Sequence, residues 1–364
     1  MKNDTISIAK AIGIILMLVG HAGCPQALNS FIYQFHMPLF FFFSGYCFKD
    51  KYLNDFRSFA VKRVKGIYVP FVKYALLFLL LHNVFFKLNI YNDVYGYNGG
   101  VSCLYSLSDI VKRVIKITTS MSYEEQLLGG YWFLRVLFYT SFIGYGFFKF
   151  LRNGKMQFLG VILLYAITIL FTFSDSLSSF WQTISLSCLA AIFFVVGKKL
   201  SECKLPQQGW LTLICLCATF ALSRINPVGM TTRDPMSITL YVMGALLGVL
   251  MVRNFSIYMQ KSCWLKKAMV YIGDHTLPIL TWHFLSFKLV SLVIIKVYHL
   301  PVECLAHFPV IQEYSSRGWW IGYTLVGLVV SFVMIVLSES ISEKVESVRQ
   351  RFQQGGMKDV SRAG

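Results

Sequence analysis

Apolar residues recur along this chain in runs of membrane length, separated by shorter polar and basic stretches. The runs at 5–22, 28–48, 68–88, 131–151, 157–174, 180–198, 208–224, 237–253, 276–297 and 319–339 are each long enough for a bilayer core, which takes roughly 17–25 helical residues. They predict an all-α polytopic integral membrane protein with about ten transmembrane helices, the runs at 157–174, 208–224 and 237–253 being short ones. The longest segment between runs, Asn89–Gly130, opens with the turn-rich Tyr91–Gly100. It continues with Leu107–Ile117, where Leu107, Ile110, Val111, Val114 and Ile115 keep helical spacing over Lys112, Arg113 and Lys116. That pattern predicts a short amphipathic helix lying on the membrane face. Residues 1–341 read as one transmembrane domain and 342–364 as a charged cytoplasmic tail, helical at first over Glu343–Arg351.

Composition and charge sharpen this picture. Apolar residues make up 56% of the 364 and charged ones 14%, with a mean hydropathy of +0.58. The net charge of +17 raises the question of nucleic acid, but no basic run is interleaved with aromatics in a soluble domain, and nucleic acid is not expected as a partner. With the N-terminus in the cytoplasm, most of the 34 Lys and Arg fall in cytoplasmic segments, above all in Lys49–Ile67. The positive-inside rule then leaves both termini cytoplasmic. The first run passes into Gly20-His21-Ala22-Gly23 without a convincing small-x-small cleavage site, so it reads as a retained helix. The nine Cys include no C-x-x-C pair and read as small buried apolar residues. His275 and His283 have no second ligand pair, and no metal site is expected.

Ionisable groups inside lipid-crossing helices are costly and are candidates for function. Lys10 and His21 both lie in the first run. Eleven residues at about 100° each leave a remainder of about 20°, so the two share a face, about 16 Å apart along the axis. A cation at one end and an imidazole at the other suit a long ligand that is anionic at one end and reactive at the other. The second run is dense in Phe and carries His36, Pro38 and Ser44-Gly45. A kink at Pro38 would open a cavity beside the first helix for His36 or Ser44; alternatively the Phe residues are lipid-facing bulk and Ser44-Gly45 a close helix contact. The basic group Lys62, Arg63 and Lys65 suits either lipid headgroups or phosphates. Trp132 and Arg135 suit a sugar ring or a membrane-interface anchor.

Lys10, ten intervening residues and His21, then Phe35-x-x-Pro38-x-Phe40-Phe41-x-x-Ser44-Gly45 and a basic Arg63…Pro70 stretch, resemble the membrane-bound acyltransferase-3 family, which includes bacterial O-acetyltransferases of surface glycans. Tyr131-Trp132-Phe133-Leu134 and Gly273 through His283 resemble later stretches of the same family. The likeness runs over about residues 5–340, the middle helices matching only in hydropathy. The family often has Arg where Lys10 stands, and a second Arg where Gly66 stands.

The resemblance implies an O-acetyltransferase of the bacterial cytoplasmic (inner) membrane, taking its acyl group from acetyl-CoA and passing it to a carbohydrate or glycolipid hydroxyl. His21 would be the general base and Ser44 an oxyanion donor, with Lys10, Lys62, Arg63 and Lys65 holding the acyl-CoA. His36, Trp132, Arg135 and His283 would contact substrate. A transporter or flippase for a glycan or lipid-linked substrate shares the buried charges and stays open as the alternative.

Overall fold

The computed structural model describes residues 4–95, 101, 103–172, 179–203, 208–232, 234–338 and 340. The tail at 342–364 and the end of the turn-rich stretch, 96–100, lie outside the described residues. Each expected run coincides with a helix: α1 (Asp4–His21), α2 (Gln26–Tyr46), α3 (Phe56–Arg63), α4 (Val69–Lys87), α5 (Leu107–Ser120), α6 (Trp132–Phe150), α7 (Gly154–Thr172), α8 (Ser179–Ser201), α9 (Gly209–Ile225), α10 (Pro235–Met259), α11 (Cys263–Asp274), α12 (Thr276–Tyr298) and α13 (Gln312–Ser338). Among the described residues there is no strand. The architecture is all-α and polytopic.

Among the described residues, eight helical stretches are long and apolar enough to cross a membrane by length and composition, where about ten were expected. The two that fall short do so for different reasons. Helix α9 has only 17 residues. Helix α2 has 21 residues, but Gln26, Asn29, Gln34 and His36 dilute its apolar character.

That dilution fits where α2 lies, for it packs against α1, α6, α8, α9 and α10. Phe35, Phe41 and Phe42 are wholly buried and Phe43 nearly so. The Phe run is therefore core, and the lipid-facing reading of it does not hold. Backbone-to-backbone packing makes room for these rings. A Cβ added at Gly45 would run into the Phe194 carbonyl of α8, and one at Gly197 into the Phe42 carbonyl of α2. In lipid, where apolar side chains gain little by leaving their surroundings, such close approach is a main source of helix association. The helix runs unbroken through Pro38.

The amphipathic helix forms as α5, somewhat longer than expected. Ser106 and Asp109 make a reciprocal capping box at its start, and Met121 ends it at a φ of 51°. Leu107, Val111 and Ile115 are exposed along its outer face. Between α3 and α4, residues Val64–Tyr68 form a π-turn. The cysteines are all free; Cys24, Cys188, Cys215 and Cys304 are buried, but Cys47, Cys103, Cys203, Cys217 and Cys263 are exposed, contrary to the uniform burial expected of them.

Candidate active site

Three cavities follow one another along α1. The inner chamber, about 320 Å³, is lined by Lys10, Ile14 and Met17 of α1, by Ser44 of α2 and by Arg63 at the end of α3. Most of the remaining wall is apolar, from Phe40, Phe133, Leu137 and Leu280. A middle chamber of about 160 Å³ shares Met17, Met37 and Leu280 with it and adds His21, Tyr33 and His36. An outer chamber of about 650 Å³ shares His21, Tyr33, Trp132 and Thr231 with the middle one. Lys10 thus faces the first chamber, and His21 stands where the second meets the third. Because α1 is one unbroken helix, the separation of about 16 Å along its axis holds.

His21 is the last residue of α1. Gly23, at a φ of 76°, turns the chain immediately afterwards, and the Ser315 hydroxyl donates to the Ala22 carbonyl from α13. Two neighbouring rings of α12 meet the imidazole: Phe284 stacks on it with ring centroids 4.9 Å apart, and His283 Nε2 lies 3.1 Å from His21 Nδ1. His283 Nδ1 lies 2.9 Å from the Leu280 carbonyl oxygen. A carbonyl only accepts, so in a neutral His283 the proton sits on Nδ1 and Nε2 is left as an acceptor. His21 Nδ1 then donates to it, and the lone pair of a neutral His21 falls on Nε2. A chain of two hydrogen bonds thereby assigns the tautomer of His21, since the bond made at one ring nitrogen sets the role of the other.

Across the outer chamber the wall is polar. It includes Glu124, Glu125 and Gln126, together with Trp132 and Arg135 of α6 and Ser179 and Gln182 of α8. Glu124 pairs with Arg113 and, at 3.0 Å, with Lys116 of α5. Glu125 Oε2 lies 3.0 Å from His82 Nδ1, whose Nε2 lies 3.0 Å from the Cys103 carbonyl oxygen. Tyr105 stacks on His82 at 3.3 Å between centroids, and the Arg113 guanidinium lies 3.9 Å from the Tyr105 ring centroid. Burial, followed by the nearby Glu125, pushes the Tyr105 phenol up to about 12. Both amide atoms of Gln126, Glu125 Oε1 and Arg135 Nε are buried and have no hydrogen-bond partner among the described residues. Unsatisfied buried polar atoms are uncommon in native structures, and four on one chamber wall call for an explanation such as a ligand.

Residues 3–336 match the acyltransferase domain that defines the acyltransferase-3 family. The chain belongs to that family. It is a membrane acyltransferase, and the bilayer, an acyl donor and an acceptor are its implied surroundings. No curated protein and no solved structure matches it.

Within this acyltransferase the expected site residues divide. Lys10, Arg63 and Ser44 line the inner chamber, His36 the middle one, Arg135 the outer one, and Trp132 both of the latter two. His283, wholly buried, reaches the site through His21. Lys62 and Lys65 are exposed and line none of these chambers. Lys62 Nζ donates to Tyr52 Oη at 3.0 Å, and this bond lowers the Tyr52 phenol below its ordinary value. Ser44 Oγ is buried without a partner, on Lys10's side of Met17 rather than beside His21. Sequence reasoning missed Tyr33, Gln126 and the His82–Glu125 pair. Only His82 left a signal, as an ionisable residue within an apolar run. Among the described residues no group of His, Cys, Asp and Glu is arranged to hold a metal ion.

Proposed function

We propose that this acyltransferase moves an acetyl group from acetyl-CoA to a hydroxyl of a carbohydrate or glycolipid acceptor, with His21 as general base. The observation that carries the reading is the position of His21 on both the narrow middle chamber and the wide outer one, in line with Lys10 and Arg63. A thin pantetheine arm needs few directional partners, and the apolar inner chamber suits it. Arg63 and Lys10 carry the positive charge that a nucleotide phosphate requires. Lys62 and Lys65, exposed on the same basic segment, meet the nucleotide outside the chamber. This requires the N-terminal end of α1 to face the cytoplasm, as the charge distribution implies, and a bacterial inner membrane would supply both substrates.

The acceptor hydroxyl, lying in the outer chamber, attacks the thioester carbonyl carbon. Its proton passes to His21 Nε2, the new C–O bond forms and the C–S bond breaks. The proton then goes to the departing CoA sulfur. The oxyanion needs a donor near His21. Tyr33, which shares both chambers with it, is better situated than Ser44, which we assign to the pantetheine arm. His283 is a positioning residue that holds His21 in the tautomer with its lone pair on Nε2. His36 closes the middle chamber beside Tyr33, with ring centroids 5.0 Å apart.

The test is radiolabelled acetyl-CoA turnover by the purified protein in detergent with a mixed glycan acceptor extract, wild type beside His21→Ala. Label entering glycan with the wild type and not with the variant, while both bind CoA, is the expected result. No transfer and no CoA binding by either protein would favour a transporter instead.

A further inference from the structure

Four orphaned polar atoms on the outer-chamber wall point past a generic sugar. Taking the acyl-acceptor reading as given, we infer that the acceptor bears an anionic group, a carboxylate or phosphate, held by Arg135. Charge balance is the first argument. Two carboxylates and one guanidinium line this chamber, and both carboxylates already have partners. Glu124 is paired with Arg113 and Lys116. Glu125 is taken up by His82, whose Nδ1 lies 3.0 Å from Oε2. Arg135 is buried, 7% exposed, and among the described residues it has no carboxylate partner. An arginine cannot shed its charge to relieve such burial, so a buried guanidinium without a carboxylate among the described residues is costly and marks a place for an anion.

Geometry is the second argument. Carboxylates and phosphates bind guanidinium groups side-on through two parallel N–H bonds. Ser179 Oγ takes Arg135 Nη1, at a long 3.5 Å. The opposite edge includes Nε, which has no partner. The edge able to grip an anion with two bonds is therefore the vacant one. Trp132, three residues earlier on α6, is its neighbour on the helix surface. The indole, shared with the chamber of His21, offers a flat face to a sugar ring, with the guanidinium next to it for an acidic substituent. Gln126 supplies a donor and an acceptor for the hydroxyls, and Glu125 Oε1 a further acceptor.

The test measures binding to the full-length protein in detergent, without acetyl-CoA, by isothermal titration. The probes are methyl glucuronide, glucose 6-phosphate and the neutral methyl glucoside. The wild type is expected to bind at least one acidic probe roughly 10- to 100-fold more tightly than the neutral one, the size of a lost charge-assisted contact. The stronger of the two acidic probes tells carboxylate from phosphate. Arg135→Gln should abolish the preference, and Arg135→Lys should keep part of it. Equal binding of acidic and neutral probes by the wild type, no binding of any probe, or a preference that survives in Arg135→Gln would each overturn the inference. If Arg135→Gln does not fold, the wild-type ratio decides alone. Acid preference in a protein that transfers no label would instead sink the transferase reading and leave the anion site standing.

Discussion

The inner and outer chambers, joined through the small one beside His21, are built by opposite means. The inner one is the smaller, about 320 Å³, and its wall is mostly Ile, Met, Phe and Leu, with Lys10 and Arg63 as its cations. The outer one is about twice as large at about 650 Å³, and it carries buried amide, carboxylate and guanidinium atoms that no described residue satisfies. An apolar tunnel tolerates any slender chain and takes its affinity from the charges at its end. A polar chamber with orphaned donors and acceptors is selective, because a ligand that leaves them unpaired pays the full desolvation cost. The contrast suggests that donor recognition here is generic and acceptor recognition specific, with one imidazole placed to serve both.

The sharpest way to break this comparison is to remove that imidazole. His21→Ala should lower acetyl transfer roughly 10²–10⁴-fold, the range for a positioned general base, while CoA binding in the inner chamber stays within about twofold. A parallel loss of CoA binding would mean that His21 belongs to the donor side alone. Next comes His283. With His283→Ala the tautomer of His21 is no longer held, and kcat should fall about 10²-fold with little change in KM for either substrate. His283→Asn, whose carbonyl can accept from His21 Nδ1, should recover part of the loss. Equal defects in both variants would point to packing around Phe284 rather than to the hydrogen bond.

Much of this arrangement was legible in the residue order, and some of it was not. The Lys10–His21 relation needed only helical geometry, and α1 is unbroken. The amphipathic α5 was visible in its spacing, since its face depends on local periodicity alone. The interior role of the Phe40–Phe43 run was not visible, because it depends on α8 meeting α2 at Gly45 and Gly197, two residues far apart in sequence. The same holds for the His21–His283 bond, which joins positions 262 residues apart. The basic group divides in three dimensions. Lys62, Arg63 and Lys65 are close in sequence, but adjacent helical positions point in different directions, and only Arg63 turns into the chamber. The short 3₁₀ segment beginning at Gln126 has no periodicity to read, so the orphaned amide there could be found only in three dimensions.

The difference between Arg63 and its neighbours gives a smaller prediction that sharpens the donor side. Arg63→Ala should raise KM for acetyl-CoA roughly 10- to 100-fold, as expected for losing a charge-assisted bond in a partly buried site. Lys62→Ala should raise it by only about 2- to 5-fold, in keeping with an exposed charge, and that small effect should vanish at high salt. If the two variants behaved alike, the nucleotide would be held outside the chamber by the whole basic segment, and the inner chamber would lose its assignment.

The smallest effect concerns two tyrosines whose phenols are shifted in opposite directions. Tyr52, bonded by the Lys62 ammonium, ionises below its ordinary value. Tyr105, buried near Glu125 and stacked on His82, is pushed up to about 12. Phenolate absorbance of Tyr52→Phe and Tyr105→Phe, each subtracted from the wild type, should show one early and one late titration. Lys62→Ala should return Tyr52 toward the ordinary value. For Tyr105 the sign for stability follows from a folded value raised above the unfolded one. Its contribution is fully present below about pH 10 and is lost as the pH climbs through about 12, where the unfolded chain alone gains by ionising. Melting temperature across that window should therefore fall more steeply for the wild type than for Tyr105→Phe. A flat difference would mean that the Tyr105 hydroxyl reaches solvent, and the stacked His82–Tyr105–Arg113 arrangement would then be looser than its contacts imply.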